Sequence, residues 1–351
     1  TQQRGFGERI KKLAKAGIPV VLVIGNHDTP NAQGKANTLD IYSALEIDNV
    51  YVSRKPELLE IPTKSGNLQV VTLPWLHKND YKTVGEKLKI LYEKIKSPPA
   101  GGPAIFLSHT EVEGASYGSE KGMAIANDVT IPLPLLQEKK LSYVALGHIH
   151  KHQILSQNPP VVYCGSPHRI DFGEEKEEKG IILVDIASPV ILEGAQRPIG
   201  SKKKDSIPLD KLGVQNDNFI TTFRFISTNS RKFLTIEINL KTDDKYPTQT
   251  VLDEIKKYDI KDKVVRVIIN IPADLDEEIH MDKIKKALSL AHLIAGIARN
   301  IEKVKRLKID GQEEVERLTP VEALQKYFEA KKFSKEKQKE LEKFAAQLLE
   351  S

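Results

Sequence analysis

Three short apolar runs in this chain each lead into side chains that bind metals. Val20-Val21-Leu22-Val23-Ile24 runs into Gly25-Asn26-His27-Asp28, Ala104-Ile105-Phe106-Leu107-Ser108 into His109, and Tyr143-Val144-Ala145-Leu146 into Gly147-His148-Ile149-His150. Open α/β sheets gather their chemistry at the carboxyl ends of strands, because residues remote in sequence converge there. The expectation is a site assembled by one sheet, with the two imidazoles of His148-Ile149-His150 aimed to the same side by the two-residue period of extended chain. Amide oxygen and neutral imidazole nitrogen both ligate manganese, iron or zinc. Two such cations about 3.5 to 4 Å apart bind a phosphodiester, generate hydroxide and neutralise the leaving oxygen. One histidine at a strand end is usually only hydrogen-bonded there; three strand ends in this order point to a binuclear metal hydrolase.

The remaining pattern predicts a layered α/β protein. Ile10, Leu13 and Ala14 lie at helical spacing between Gly7 and Ala16, and Gly17 and Pro19 stop that helix before the first strand. Further apolar strands are expected at Gln69 to Leu73, Val161 to Cys164 and Ile181 to Val184, which gives a layered β-sandwich. The cluster Ser97-Pro98-Pro99-Ala100-Gly101-Gly102-Pro103 marks a surface turn before the His109 strand. From Ala187 to Asn218 the chain is turn-rich and basic, with Lys202-Lys203-Lys204, before a returning strand at Phe219 to Ile226.

A second module starts near Arg231. Leu234, Ile236, Ile238 and Leu240 alternate, as do Val265, Val267, Ile269 and Ile271, with Val251, Leu252, Ile255 and Tyr258 on a helix face between them and another helix around Met281 to Leu290. This reads as a small α+β cap. Thr319-Pro320-Val321-Glu322 then has an N-cap, a first-turn proline and a capping-box glutamate. Val321, Leu324 and Phe328 form one apolar stripe of the C-terminal helical tail, and Leu341, Phe344, Ala345 and Leu348 another. Such stripes either pack on the body or dock in a partner's groove. The expected domains are 1–228, carrying the metal-type residues, 229–308, the cap, and 309–351, the tail.

Composition excludes several classes. Cys164 is the sole cysteine of 351 residues, so no disulfide framework exists, and it reads as a buried strand residue in a reducing, cytoplasmic setting. No apolar run approaches the roughly 20 residues of a membrane span. Lys and Arg exceed Asp and Glu by 53 to 48, a net +5 that permits a nucleic-acid partner without demanding one. His280 and His292 read as capping, surface or packing residues.

The order Gly25-Asn26-His27-Asp28, Ser108-His109, Gly147-His148-Ile149-His150 and Gly165-Ser166-Pro167 resembles the calcineurin-like metallophosphoesterases. Leu73-Pro74-Trp75, the Leu141 to Gln153 stretch and the run from Cys164 to Glu175 resemble more closely the SbcD-type nuclease subunits of SbcCD DNA-repair complexes. The resemblance implies that Asn26, His109 and His148 ligate one metal, that His150 ligates a second, and that His27 is the catalytic histidine. Asp28 is then a supporting neighbour at most, and His77, His152 and His168 are exposed loop residues.

It also implies two manganese ions in the intact protein, a homodimer, DNA ends and hairpins as substrates, and a tail that binds an SbcC-like coiled-coil ATPase. The family's Asp-x-His and Gly-Asp-x-x-Asp strand ends do not occur here. The domain therefore reads as N-terminally incomplete, with at most one well-ligated ion. Two alternatives stand beside the nuclease: a small-molecule metallophosphoesterase, and a non-catalytic subunit that binds DNA and the ATPase.

Overall fold

The computed structural model describes residues 2–29, 37–75, 83–97, 101–118, 129–188, 214–215, 219–272, 275 and 279–301, together with 328, 335, 337, 338 and 341. The chain divides into two compact units, one made of Thr1–Thr235 with Asp262–Val264 and the other of the remainder.

In the first unit the order is α1 (Gln2–Lys15), β1 (Val20–Val23), α2 (Asp40–Ala44), β2 (Val50–Ser53), β3 (Glu57–Thr63), β4 (Gly66–Leu73), α3 (Val84–Glu93), β5 (Ala104–His109), β6 (Glu111–Val112) and β7 (Thr130–Ile131). There follow β8 (Leu141–Gly147), β9 (Gln153–Gln157), β10 (Pro160–Tyr163), β11 (Gly180–Ala187), β12 (Val214–Gln215) and β13 (Ile220–Ser227). A six-stranded sheet runs β3-β4-β5-β8-β10-β9. Its inner strands β4, β5, β8 and β10 are parallel, and β3 and β9 close it antiparallel.

The inner strands are near-continuous apolar runs because both of their faces are covered, as parallel strands require. On one face Val71, Leu73, Phe106, Val144, Leu146 and Tyr163 share a core with Val84, Leu88 and Leu91 of α3. On the other, Tyr143 and Val162 pack with Phe223, Ile182 and Val184 from β13 and β11, whose sheet runs β11-β13-β12. This is the expected layered sandwich.

Buried Gln69 fixes the turn that feeds β5. Its amide accepts from Lys96 N at 2.8 Å and donates to the carbonyls of Lys96 and Gly102 at 2.9 and 2.8 Å. The side chain thus replaces the backbone partners that an irregular turn lacks.

One expectation fails: β1 does not lie in the sheet that holds β5 and β8. It pairs in parallel with β2, Val20 opposite Val50, as a separate two-stranded sheet. Two links tie that pair to the end of β4: Trp75 N donates to Ile24 O at 2.9 Å, and the Ser53 and Thr72 hydroxyls meet at 2.6 Å. The candidate ligands therefore come from the ends of two sheets.

The second unit is built on β14 (Phe233–Asn239), α4 (Pro247–Ile255), β15 (Val264–Ile271), α5 (Met281–Ala287) and β16 (Leu293–Ile301), with sheet order β14-β15-β16. Ile236, Ile238, Val265, Val267, Ile269 and Ile271 are buried, as are Val251 and Ile255 of α4 and Ile284 of α5. The alternation of β14 and β15 and both helices follow the sequence pattern. Strand β16 does not, because Ala295, Gly296 and Ala298 interrupt its apolar rhythm and much of it is exposed. The tail helices, apart from the five isolated residues, and Lys202 to Lys204 lie outside the described residues.

Candidate metal centre

His109 closes β5 and sits beside Gly147, its partner in the parallel register. A Cβ at Gly25 would lie 2.9 Å from the His109 Cε1 and 3.0 Å from Nε2, and one at Gly147 would lie 3.1 Å from Nδ1. The imidazole is clamped between two backbones that approach closely only because both are glycine. Its Nε2 is 3.0 Å from Asn26 Oδ1, and its ring meets that of His148 edge-on at 5.2 Å between centroids. Asn26, His109 and His148 are thus brought together.

Burial, and then the proximity of His148, His27 and His150, push the His109 pKa down to about 3. The ring is neutral at ordinary pH and keeps a lone pair for a cation.

His27 lies exposed in the turn that follows β1. The Asp28 carboxylate braces that turn, accepting from Gly25 N at 2.8 Å and from the Thr38 hydroxyl at 3.3 Å.

The expected extended geometry of His148-Ile149-His150 is not what forms. Strand β8 ends at Gly147, and His148 takes a left-handed backbone with φ of 94°, uncommon for a residue with a Cβ. Ile149 turns inward to 1% exposure. The two imidazoles therefore leave a turn, not alternate positions of one strand.

His150 has its own support. Its Nδ1 lies 2.7 Å from Oε1 of Glu174, a fully buried carboxylate. The other oxygen of Glu174 accepts from Ile170 N at 3.0 Å and from Lys179 Nζ at 3.0 Å. Lys179, also fully buried, donates to Glu177 at 2.8 Å and to the His150 carbonyl at 3.1 Å. Burial raises the Glu174 pKa, but the hydrogen bonds from Ile170, Lys179 and His150 outweigh it and hold the carboxyl below its ordinary range. Gly165, at φ of 81°, lets the loop pass this point, since a Cβ there would fall 2.7 Å from His150 O. Reading the residues placed Gly25, Gly147, Gly165 and Glu174 within quoted motifs without giving them a role, and it did not name Lys179. The available signals were a glycine before Asn26 and before His148 and the charged run Glu174 to Lys179.

The remaining candidates separate. His152 is not an exposed loop residue: its ring N–H donates to Tyr163 O at 2.8 Å and its face stacks on Phe225 at 4.6 Å. His168 is exposed, and so is His292. His280 occupies the N-cap of α5 without a side-chain cap bond. His77 lies outside the described residues. Cys164 falls just past β10 and is only half-buried; its thiol donates to Gly180 O at 3.6 Å, and burial pushes its pKa up.

Amide oxygen and neutral imidazole are donors that a divalent ion accepts, so Asn26, His109 and His148 fit a metal in kind. They supply part of a shell. Among the described residues no group of three or more His, Cys, Asp or Glu side chains is disposed to enclose an ion. Nor is any described helix long and apolar enough to cross a membrane.

The sequence profile of the calcineurin-like phosphoesterase family matches residues 2–152. The SbcD component of the SbcCD nuclease of Bacillus subtilis is 27% identical over 198 residues, 51% of this chain and 50% of that protein. "DNA double-strand break repair protein Mre11" of Saccharolobus solfataricus is 23% identical over 320 residues, 84% of this chain and 78% of that protein. An uncharacterised protein of Acanthamoeba polyphaga mimivirus is 27% identical over 314 residues, 78% of this chain but 22% of its own length. The chain thus spans half or less of the bacterial and viral relatives. Asn26, His109, His148 and His150 all fall within the span that the family profile matches, so residues 2–152 are similar to a calcineurin-like phosphoesterase domain.

Proposed function

We propose that this protein is a manganese-dependent DNA nuclease subunit of the SbcD and Mre11 kind, acting as a double-strand exonuclease and single-strand endonuclease in break repair. The observation that carries this reading is the convergence of Asn26, neutral His109 and His148 at strand ends of the metallophosphoesterase domain. Asn26, His109 and His148 would hold one ion and His150 part of the shell of a second. Two ions, if bound there, would supply a hydroxide nucleophile and neutralise the phosphate. The remaining work belongs to side chains. His27, exposed beside the donors, holds a proton for the leaving oxygen, and Asp28 keeps the turn that presents it.

Residues 1–228 would cut, 229–308 would contact DNA, and the helices of 309–351 would dock in an SbcC-like coiled-coil ATPase, with two copies of the subunit per cytoplasmic complex. Recognition through phosphates makes binding insensitive to sequence and weaker in salt.

His27→Ala is expected to lower cleavage of duplex ends and hairpins by at least ~100-fold, the scale of a lost general acid, with manganese binding retained in calorimetric titration. Cleavage at the wild-type rate removes His27 from this role. The partial shell among the described residues supports a second reading, a non-catalytic subunit that binds DNA and the ATPase. It predicts tight partner binding and no cleavage at any manganese concentration.

A further inference from the structure

Among the described residues of the first unit, Glu174 and Lys179 form the least exposed charged pair, both side chains being fully buried. Burying an ion pair is stabilising only when geometry and additional hydrogen bonds offset the lost hydration. Here the additional bonds converge on one residue: Glu174 meets the ring of His150, and Lys179 meets its carbonyl. The loop that carries Glu174 is itself fixed. Arg169 donates to the carbonyls of Glu175, Glu177 and Arg231, and the Glu175 carboxylate accepts from Thr235 N and Oγ1 at 3.0 and 2.6 Å. Surrounding a single imidazole with this much buried polar structure has no evident use in packing, since His150 stands at the end of a turn with its side chain 22% exposed.

We infer that Glu174 is a positioning residue: its carboxylate, held by Lys179, accepts the proton on His150 Nδ1 and so fixes the tautomer and ring plane that present Nε2 as a donor. A carboxylate accepts and does not donate, so contact with Nδ1 selects the tautomer that carries hydrogen there and leaves the lone pair on Nε2. Carboxylates behind metal-bound histidines act in this way, and their loss weakens metal affinity about 10- to 100-fold. The inference rests on the reading of His150 as a metal ligand and adds the residue that makes it one.

Nitrogen NMR of the imidazoles in the metal-free protein at pH 8 reads the tautomer directly. The wild type is expected to show His150 with hydrogen on Nδ1. Glu174→Gln should move the hydrogen to Nε2, because its single amide oxygen is held by Ile170 N and Lys179 Nζ and its NH2 then faces His150 and donates to Nδ1. Removing Glu174 alone would strand a buried lysine, so the loss is tested with Glu174→Met and Lys179→Met together. That double variant should also populate the other tautomer and bind manganese about 10- to 100-fold more weakly, as should Glu174→Gln. A wild-type His150 with hydrogen on Nε2, or a double variant unchanged in tautomer, overturns the positioning role. If the tautomers behave as expected but His150→Ala leaves manganese binding unchanged, the assignment of His150 as a ligand is what fails, and the two failures are told apart.

Discussion

His109 is held in place by what its neighbours lack. Gly25 and Gly147 carry no Cβ against a ring that would meet one at 2.9 to 3.1 Å, and Asn26 and His148 complete its surroundings. Such a ring resists protonation, which has a consequence for stability. The native pKa, about 3, lies below the ordinary value near 6.5, so the unfolded chain binds the proton first. The contribution of a neutral His109 is complete above about pH 6.5 and is lost as pH falls from there toward 3. Urea melts of the metal-free protein should show stability dropping between pH 7.5 and 5 more than in His109→Gln. Glu174, whose carboxyl is held below its ordinary range, does not titrate in that window. Parallel declines in the two proteins would mean that the ring is free to protonate in the native state. That Asn26, His109 and His148 would meet was legible from their places after apolar runs. Glu174 and Lys179 were not, because their use depends on a loop returning to His150 across 24 and 29 residues.

The turn after β8 shows where element-level reasoning stops. Apolar character located β8 well, and alternation located β14 and β15, since burial on one or two faces leaves those marks. Alternation says nothing about φ, and His148 departs from the strand at φ of 94°. A residue with a Cβ held in the left-handed region stores about 1 to 2 kcal/mol, and such outliers gather at functional sites. Comparing His148→Gly with His148→Ala isolates the backbone share, because both remove the ring. The glycine variant should be the more stable in thermal melts by about 1 kcal/mol, while both lose manganese affinity equally. Equal stability would place the strain elsewhere. β3 and β16 escaped the sequence for a related reason: both are edge strands, half open to solvent, and carry no continuous apolar run.

Across the whole first unit, the division into sheets was the least legible feature, because strand neighbours are set by long-range pairing that local pattern does not encode. Among the described residues β1 pairs only with β2, and β11 only with β13. Between these layers and the sheet of β5, β8 and β10 lies a cavity of about 560 Å³, lined by Val23, Ile105, Tyr143, Ala145, Val162 and Val184. Ile181 and Leu183 of β11 are 50% and 38% exposed. Well-packed interiors leave few voids larger than a water molecule, and an apolar cavity of this size takes up apolar ligands readily. The native chain should therefore bind anilinonaphthalene sulfonate at a saturable site. Near-UV circular dichroism would confirm fixed packing, which separates this binding from that of a molten state. Ala145→Glu puts a negative charge on the cavity wall and should repel the sulfonate, lowering dye affinity about 10-fold or more through an unpaired like-charge contact at low dielectric. Dye binding that Ala145→Glu leaves unchanged would assign it to another surface. A wild type that binds no dye would show that the cavity is closed to apolar ligands in solution.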